Sequence, residues 1–217
     1  MFTVGARFYA WMTWHDVWRR HCGDLADHFP PSPSGRKLQV LDLGIGPGVS
    51  GIGILERRPD TWVVGLDFSA EMLKHARRYL RLADCHFPLV HGDVTHLPFF
   101  DDSFDVLTHH SFLYLLGHRE AGLREMFRVL RPGGHYVMLE PNRRGSVTVV
   151  PTMQGPFQFR LSMLLWRMFS TGFGQFERPE LQALLEQHGF VCERIDETLA
   201  GLGFIVVARK PPLSEPA

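Results

Sequence analysis

The chain has 217 residues, 45% of them hydrophobic, which suits one α/β domain with a modest addition. Twenty-three basic residues balance 23 acidic ones, so no overall field draws the chain to nucleic acid or an anionic membrane, and 12 histidines make its charge sensitive to mildly acidic pH. Cys22, Cys85 and Cys192 are far apart and form no CxxC pair, which excludes a disulfide framework or a zinc site of that type.

In chain order, residues 2–29 (with Phe2, Phe8, Tyr9, Trp11, Trp14, Trp18 and Phe29) read as one or two amphipathic helices. MFTVGARFYAWMTW lacks a long apolar core with a small-residue cleavage site, and no apolar run approaches the ~20 residues that span a bilayer. The expectation is a soluble, unprocessed, cytoplasmic protein. Pro30 to Gly35 form a turn-rich linker, so residues 1–35 are expected to be a helical lid and linker ahead of a main domain at 36–217.

From Leu38 strands and helices alternate: strand 38–43, helix 49–57, strand 62–66, helix 69–82, strand 87–91, strand 104–108, helix 119–130 and strand 135–140. Alternation of this kind predicts parallel strands joined by right-handed crossovers. Ser69 is a candidate N-cap, and Arg131-Pro132-Gly133-Gly134 is expected to stop the 119–130 helix. Residues 141–178 break the rhythm around RLSMLLWRMFS (160–170), which is apolar nearly all round and needs a partner or ligand to cover it. Helix 179–188, with Pro179 near its start, and strands at 190–195 and 203–209 complete the reading, and PPLSEPA is expected to be a loose tail.

The segment VLDLGIGPG carries the chemistry. A strand runs into Gly44-Ile45-Gly46-Pro47-Gly48, where glycines admit unusual dihedrals and close approach of a ligand. A dinucleotide turn of the GxGxxG kind uses the same strand-turn-helix logic, but the spacing here is DxGxGxG. Asp42 helps hold a cationic amino-acid group and repels a pyrophosphate, so S-adenosylmethionine (SAM) is favoured over NAD. Asp67 closes the next strand, where a carboxylate accepts from ribose hydroxyls, and Asp93 follows the third strand, within reach of an adenine edge. The alternatives are a purely structural turn and, for Asp67, a charge that favours a helix N-terminus.

DLGIGPG, GLDFS with Glu71-Met72, HGDVTHLPF, DDSFDVL and RVLRPGGHYVMLEP together resemble the successive motifs of class I SAM-dependent methyltransferases of the UbiE-like group, across residues 38–141. FERPELQALLEQHGF is similar to the last helix and strand of that group, whereas 1–37 and 142–176 correspond in placement only. The resemblance implies a Rossmann-like, doubly wound, seven-stranded α/β sheet with the last strand antiparallel, an N-terminal helical lid, and a helical cap inserted after strand 5 at 141–178. It also implies that Asp42, Gly44, Gly46 and Gly48 surround the methionine part of SAM, Asp67 and Phe68 the ribose and adenine, and Asp93 with Val94 the adenine, Met72 being a further adenine contact.

The acceptor has to be read from the fourth strand and the divergent segments. Thr108-His109-His110-Ser111-Phe112 follows that strand, with His110 the candidate general base and His109 nearer the cofactor; each could instead line the pocket or pack in the core. The [DNS]PP[FY] signature of nucleobase amino methyltransferases is absent and no basic cluster tracks a phosphate backbone, so nucleic acid is disfavoured. The strand does not end in aspartates suited to magnesium, so no metal is expected.

Aromatic residues in the divergent segments, with Tyr9, Trp14, Trp166 and Phe169 as substrate-contact candidates, suggest a small hydrophobic or aromatic acceptor methylated at oxygen, with carbon or nitrogen as the alternatives. THHSFLYLLGH departs from the asparagine-containing stretch of quinone-methylating enzymes, so a lipid amine or a secondary metabolite fits as well. Two further readings stay open. One is a phospholipid-type N-methyltransferase making peripheral contact with a membrane through Phe157–Phe169 and nearby arginines, and the other is a SAM-fold binding protein without catalysis.

Overall fold

A computed structural model describes residues 6–213; Phe2 and the last four residues of the expected tail lie outside them. Parallel strands β1 (Leu38–Leu43), β2 (Thr61–Asp67), β3 (Leu89–His91), β4 (Phe104–His110) and β5 (Leu130–Pro141) join β6 (Val191–Thr198) and β7 (Gly203–Arg209) in a seven-stranded sheet of order β3-β2-β1-β4-β5-β7-β6. β7 runs antiparallel to both β5 and β6, the arrangement that the resemblance implied.

Helices cover both faces because the strands are apolar on both. On one face lie α2 (Asp16–Asp24), α3 (Val49–Arg57), α4 (Ala70–Leu82) and α6 (Phe157–Phe173), which contribute Trp18, Ile52, Tyr79 and Phe159 to a core with Val40, Val106 and Val137. On the other, α5 (Arg119–Val129) and α7 (Arg178–Glu186) pack Leu123, Met126, Leu181 and Leu185 against Leu41, Leu107 and Tyr136. The amino-terminal helix α1 (Ala6–Thr13) lies across α4 and α6. Close approach of α2 to α3 depends on Gly23 and Gly53, where a β-carbon on Gly23 would come within 2.7 Å of the Gly53 carbonyl oxygen.

Several boundaries differ from the sequence reading for local reasons. Ser69 does cap α4, accepting from the Met72 N–H, and Pro179 sits in the first turn of α7. The RPGG segment ends α5 but stays in the sheet, because Leu130 pairs with Phe104 and the Gly133 N–H donates to the Lys210 carbonyl. β4 continues two residues past 108, and β3 is only three residues long.

Between Phe104 and Val106 the β4–β5 register shifts, because the step from Leu130 to His135 on β5 faces only these two steps of β4, on either side of Asp105. Its carboxylate accepts from Arg36 at 2.7 Å, Arg131 at 2.7 Å and the Gln39 N–H at 2.8 Å. Partial burial opposes its charge, but Arg36, Gln39 and Arg131 outweigh that and hold its pKa at about 2.

Candidate cofactor and acceptor site

With β3, β2, β1 and β4 adjacent and parallel, the turns that leave their carboxyl ends converge. In the first turn Gly44, Gly46 and Gly48 all have positive φ, at 63°, 55° and 88°. A side chain at Gly44 would overlap the ring of Phe112, whereas the space at Gly46 is open, with nothing nearer than 3.9 Å to an added β-carbon.

Asp67 fixes this turn. Its Oδ2 accepts from the Gly46 N–H at 2.7 Å and its Oδ1 from the Ser69 N–H at 2.7 Å, which ties the glycine turn to the start of α4. Burial pushes its pKa up and these two donors work against the rise. Asp42 is fully buried, and its Oδ2 accepts from the Ser50 hydroxyl at 2.5 Å while Oδ1 has no partner among the described residues. Burial raises it to about 7, with Ser50 pulling it down and Asp67 pushing it up.

Asp93 is exposed and accepts from the Thr95 N–H at 2.9 Å, which lowers its pKa. Val94 beside it is buried, with its methyls facing Gly122 of α5. Met72 is buried in the first turn of α4, and Phe68 is 75% exposed, its ring 6.5 Å from that of His91.

After β4 the chain turns sharply at Ser111, a non-glycine residue at φ 65°. Glu140 holds the turn from below. Fully buried at the end of β5, its Oε1 accepts from the N–H groups of Phe112 (2.9 Å) and Leu113 (2.7 Å) and its Oε2 from that of Tyr114 (3.2 Å). Burial raises its pKa to about 8 despite these three donors.

The two histidines of the motif point to opposite faces of the sheet, as successive strand residues must. His109 is wholly buried among the α5 and α7 contacts, with Nε2 2.7 Å from the Tyr136 hydroxyl and Nδ1 3.4 Å from Glu140 Oε1. Burial, with His110 second, lowers it to about 3, so its imidazole is neutral beneath the turn. His110 faces α2, its ring edge-on to Trp18 at 4.9 Å, and its Nε2 is buried without a partner. Burial first and His21 second hold it at about 3, so its imidazole is neutral at physiological pH.

Above the strand ends, α1 and α6 complete the site. Trp166 of α6 donates from Nε1 to the Ser111 hydroxyl. The Tyr9 ring of α1 comes within 3.9 Å of a β-carbon built on Gly46. Phe159 stacks on His21 at 5.4 Å beside Trp18. Tyr9 and Trp166 therefore meet the glycine turn and the end of β4.

Trp14 and Phe169 do not join them. α1 ends at Thr13 and α2 starts at Asp16, so Trp14 lies in the break and stacks on Tyr79 of α4 at 4.1 Å. Phe169 is 55% exposed on the outer flank of α6, stacked on Phe173 at 5.3 Å. Among residues that the sequence reading did not single out for the site, Glu140 had a signal, a lone carboxylate closing the apolar run YVMLEP. Ser50, Ser111 and Tyr114 had none, because their roles come from turns and long-range bonds.

An acidic, glycine-lined turn at the topological switch of a 3-2-1-4-5-7-6 sheet defines a class I SAM-dependent methyltransferase. A family described as a methyltransferase domain matches residues 40–134. The chain is 32% identical over 207 residues to demethylmenaquinone methyltransferase of Thermus thermophilus, a match covering 89% of this chain and 90% of that one. With malonyl-[acyl-carrier protein] O-methyltransferase of Erwinia pyrifoliae it shares 37% identity over 137 residues, which is 63% of this chain and 48% of the relative. The solved structure of a SAM-dependent methyltransferase from Aquifex aeolicus has the same fold, with a TM-score of 0.67 at 17% identity over 87% of this chain and 89% of that one.

This chain belongs to the class I SAM-dependent methyltransferases, in the UbiE-like group, and SAM is its methyl donor. The residues present fit that donor. The Gly46 cradle is open, the acids suit a cationic ligand, and the unpaired Oδ1 of Asp42 supplies an acceptor beside it.

Proposed function

We propose that the enzyme methylates a small, hydrophobic, aromatic acceptor at a hydroxyl oxygen, with His110 as general base. SAM supplies an electrophilic methyl group on its sulfonium. In this reading Asp42, Gly44, Gly46 and Gly48 hold the methionine part, Asp67 takes the ribose hydroxyls with its remaining lone pairs, and Phe68, Met72, Asp93 and Val94 enclose the adenine. Tyr9 closes over the turn, and residues 141–178 act with the first 35 as a cap on the acceptor.

The observation that carries the proposal is His110 Nε2, a buried nitrogen without a partner among the described residues, beside Trp18 at the carboxyl end of β4. It takes the hydroxyl proton as the acceptor oxygen attacks, while Trp18, Trp166 and Tyr9 exclude water and orient an aromatic ring. The relatives named demethylmenaquinone methyltransferase support a quinone-type ring as the acceptor class but not methylation at oxygen, since the methyl their name refers to is on a ring carbon.

The test is transfer from labelled SAM to a panel of phenols, quinols and phosphatidylethanolamine, with the product's methylated atom identified by NMR. A phenol or quinol is expected to accept at oxygen; labelling of the lipid amine alone, or of nothing, would overturn the reading. His110→Ala is expected to cut kcat roughly 10²-fold with SAM affinity unchanged by calorimetry, and an unaltered rate would remove the base role.

A further inference from the structure

α6 is apolar on two sides. At 3.6 residues per turn, Phe159, Met163, Trp166 and Ser170 share the side turned to the protein, while Phe157, Leu161, Leu164 and Met168 share the other. Phe157, Leu164, Met168, Phe169 and Phe173 are 37–71% exposed, far more than a monomer's scattered surface apolars. The Gln158 side chain donates to the Trp11 carbonyl at 2.8 Å, which joins this face to the exposed Phe8 and Trp11 of α1.

Charge selects the partner. Residues 141–176 contain Arg143, Arg144, Arg160 and Arg167 and no Asp, Glu or Lys, and residues 1–15 contain Arg7 and no acid, although the whole chain is neutral. Arg143 and Arg144 pair with Glu180 and Glu177 beyond the end of α6, and Arg167 is turned inward to the Asn142 and Arg143 carbonyls. Arg160, on the flank of the apolar face, borders it without an acid on α1 or α6, and Arg7, next to Phe8, lies near Glu71 of α4. Two copies of this face pressed together would set arginine against arginine.

We infer that the outer face of α6, continued by Phe8 and Trp11, docks on an anionic lipid bilayer. A helix of 17 residues, about 25 Å long, with aromatic and aliphatic side chains on one side and arginine at its border, lies flat in a headgroup region. Its inner side already holds Ser111 through Trp166, so the docked surface is one helix thickness from the end of β4. The inference does not depend on which acceptor is methylated.

Flotation of the full chain with phosphatidylcholine vesicles, with and without phosphatidylglycerol, tests it. The chain is expected to float with the anionic vesicles, less with phosphatidylcholine alone, and less at high salt. Phe157→Glu with Met168→Glu is expected to lower the bound fraction at fixed lipid about tenfold or more, with SAM binding retained. Quenching of tryptophan fluorescence in the unaltered chain by brominated lipid provides a readout that does not need a folded variant. No flotation, flotation undiminished in a folded double variant, no quenching, or a dimer that this variant dissociates would each overturn the inference, the last by showing that a second copy covers the face.

Discussion

The turns after β1, β2 and β3 bring together Asp42, Asp67 and Asp93 and contain no arginine, whereas α1 and α6, which cover them, carry Arg7, Arg160 and Arg167 and no carboxylate. The first region is held by directional bonds, with both Asp67 oxygens on backbone N–H groups and glycines in conformations that other residues resist. The second is held largely by shape, through stacked and edge-on rings and one buried side of α6, with a few side-chain bonds such as Trp166 to Ser111 and Gln158 to Trp11. The matching family spans 40–134 and so covers the first region and omits the second. Directional geometry is specific to the donor that all members share; a packed aromatic surface can be recut for each acceptor.

Substitutions in each region can break or sharpen this contrast. Phe159→Ala should have the largest effect, a loss of about 3–5 kcal/mol by denaturant unfolding, since the ring is 1% exposed under α6. A loss below about 1 kcal/mol would mean that α6 is a detachable cover and not part of the core. Gly44→Ala forces a β-carbon into the Phe112 ring at φ 63° and should cost about 1–3 kcal/mol, read by calorimetry as roughly a tenfold to hundredfold loss of SAM affinity.

Glu140 gives a smaller, pH-dependent effect. Its folded pKa of about 8 lies above the ordinary carboxylate value, so the folded state binds the proton more tightly, and the stability this adds at low pH is lost as pH rises through about 8. Between pH 7 and 8, above the ordinary histidine pKa, stability should fall by up to about 1.4 kcal/mol per pH unit from this group. Glu140→Gln should flatten that slope in thermal melts, and an unchanged slope would place the titration elsewhere. Phe169→Ser, on the outer flank, should change stability by less than about 0.5 kcal/mol.

Much of the first region was legible in the sequence because its rules are local. Strand β1 and helix α3 fall at the expected residues, and Ser69 caps α4 as its position suggested. The second region was less so, because an aromatic residue in a helical pattern carries no mark of which surface it meets. Trp14 and Trp18 are four apart and would share one helix face, but the chain breaks between them and sends Trp14 to Tyr79 and Trp18 to His110. Glu140 escaped notice as the support of the β4 turn because the donors it serves lie 26 to 28 residues away in sequence.

Asp105, held by Arg36 and Arg131, anchors the start of the strand that ends in the histidine pair. One residue more or fewer on β4 would rotate every later side chain to the opposite surface, sending His110 toward Tyr136 and Glu140 and turning His109 out against Trp18. Arg36 and Arg131, clamped on the Asp105 carboxylate at the far end of the strand, thus help to hold the register that turns His110 and not His109 toward Trp18.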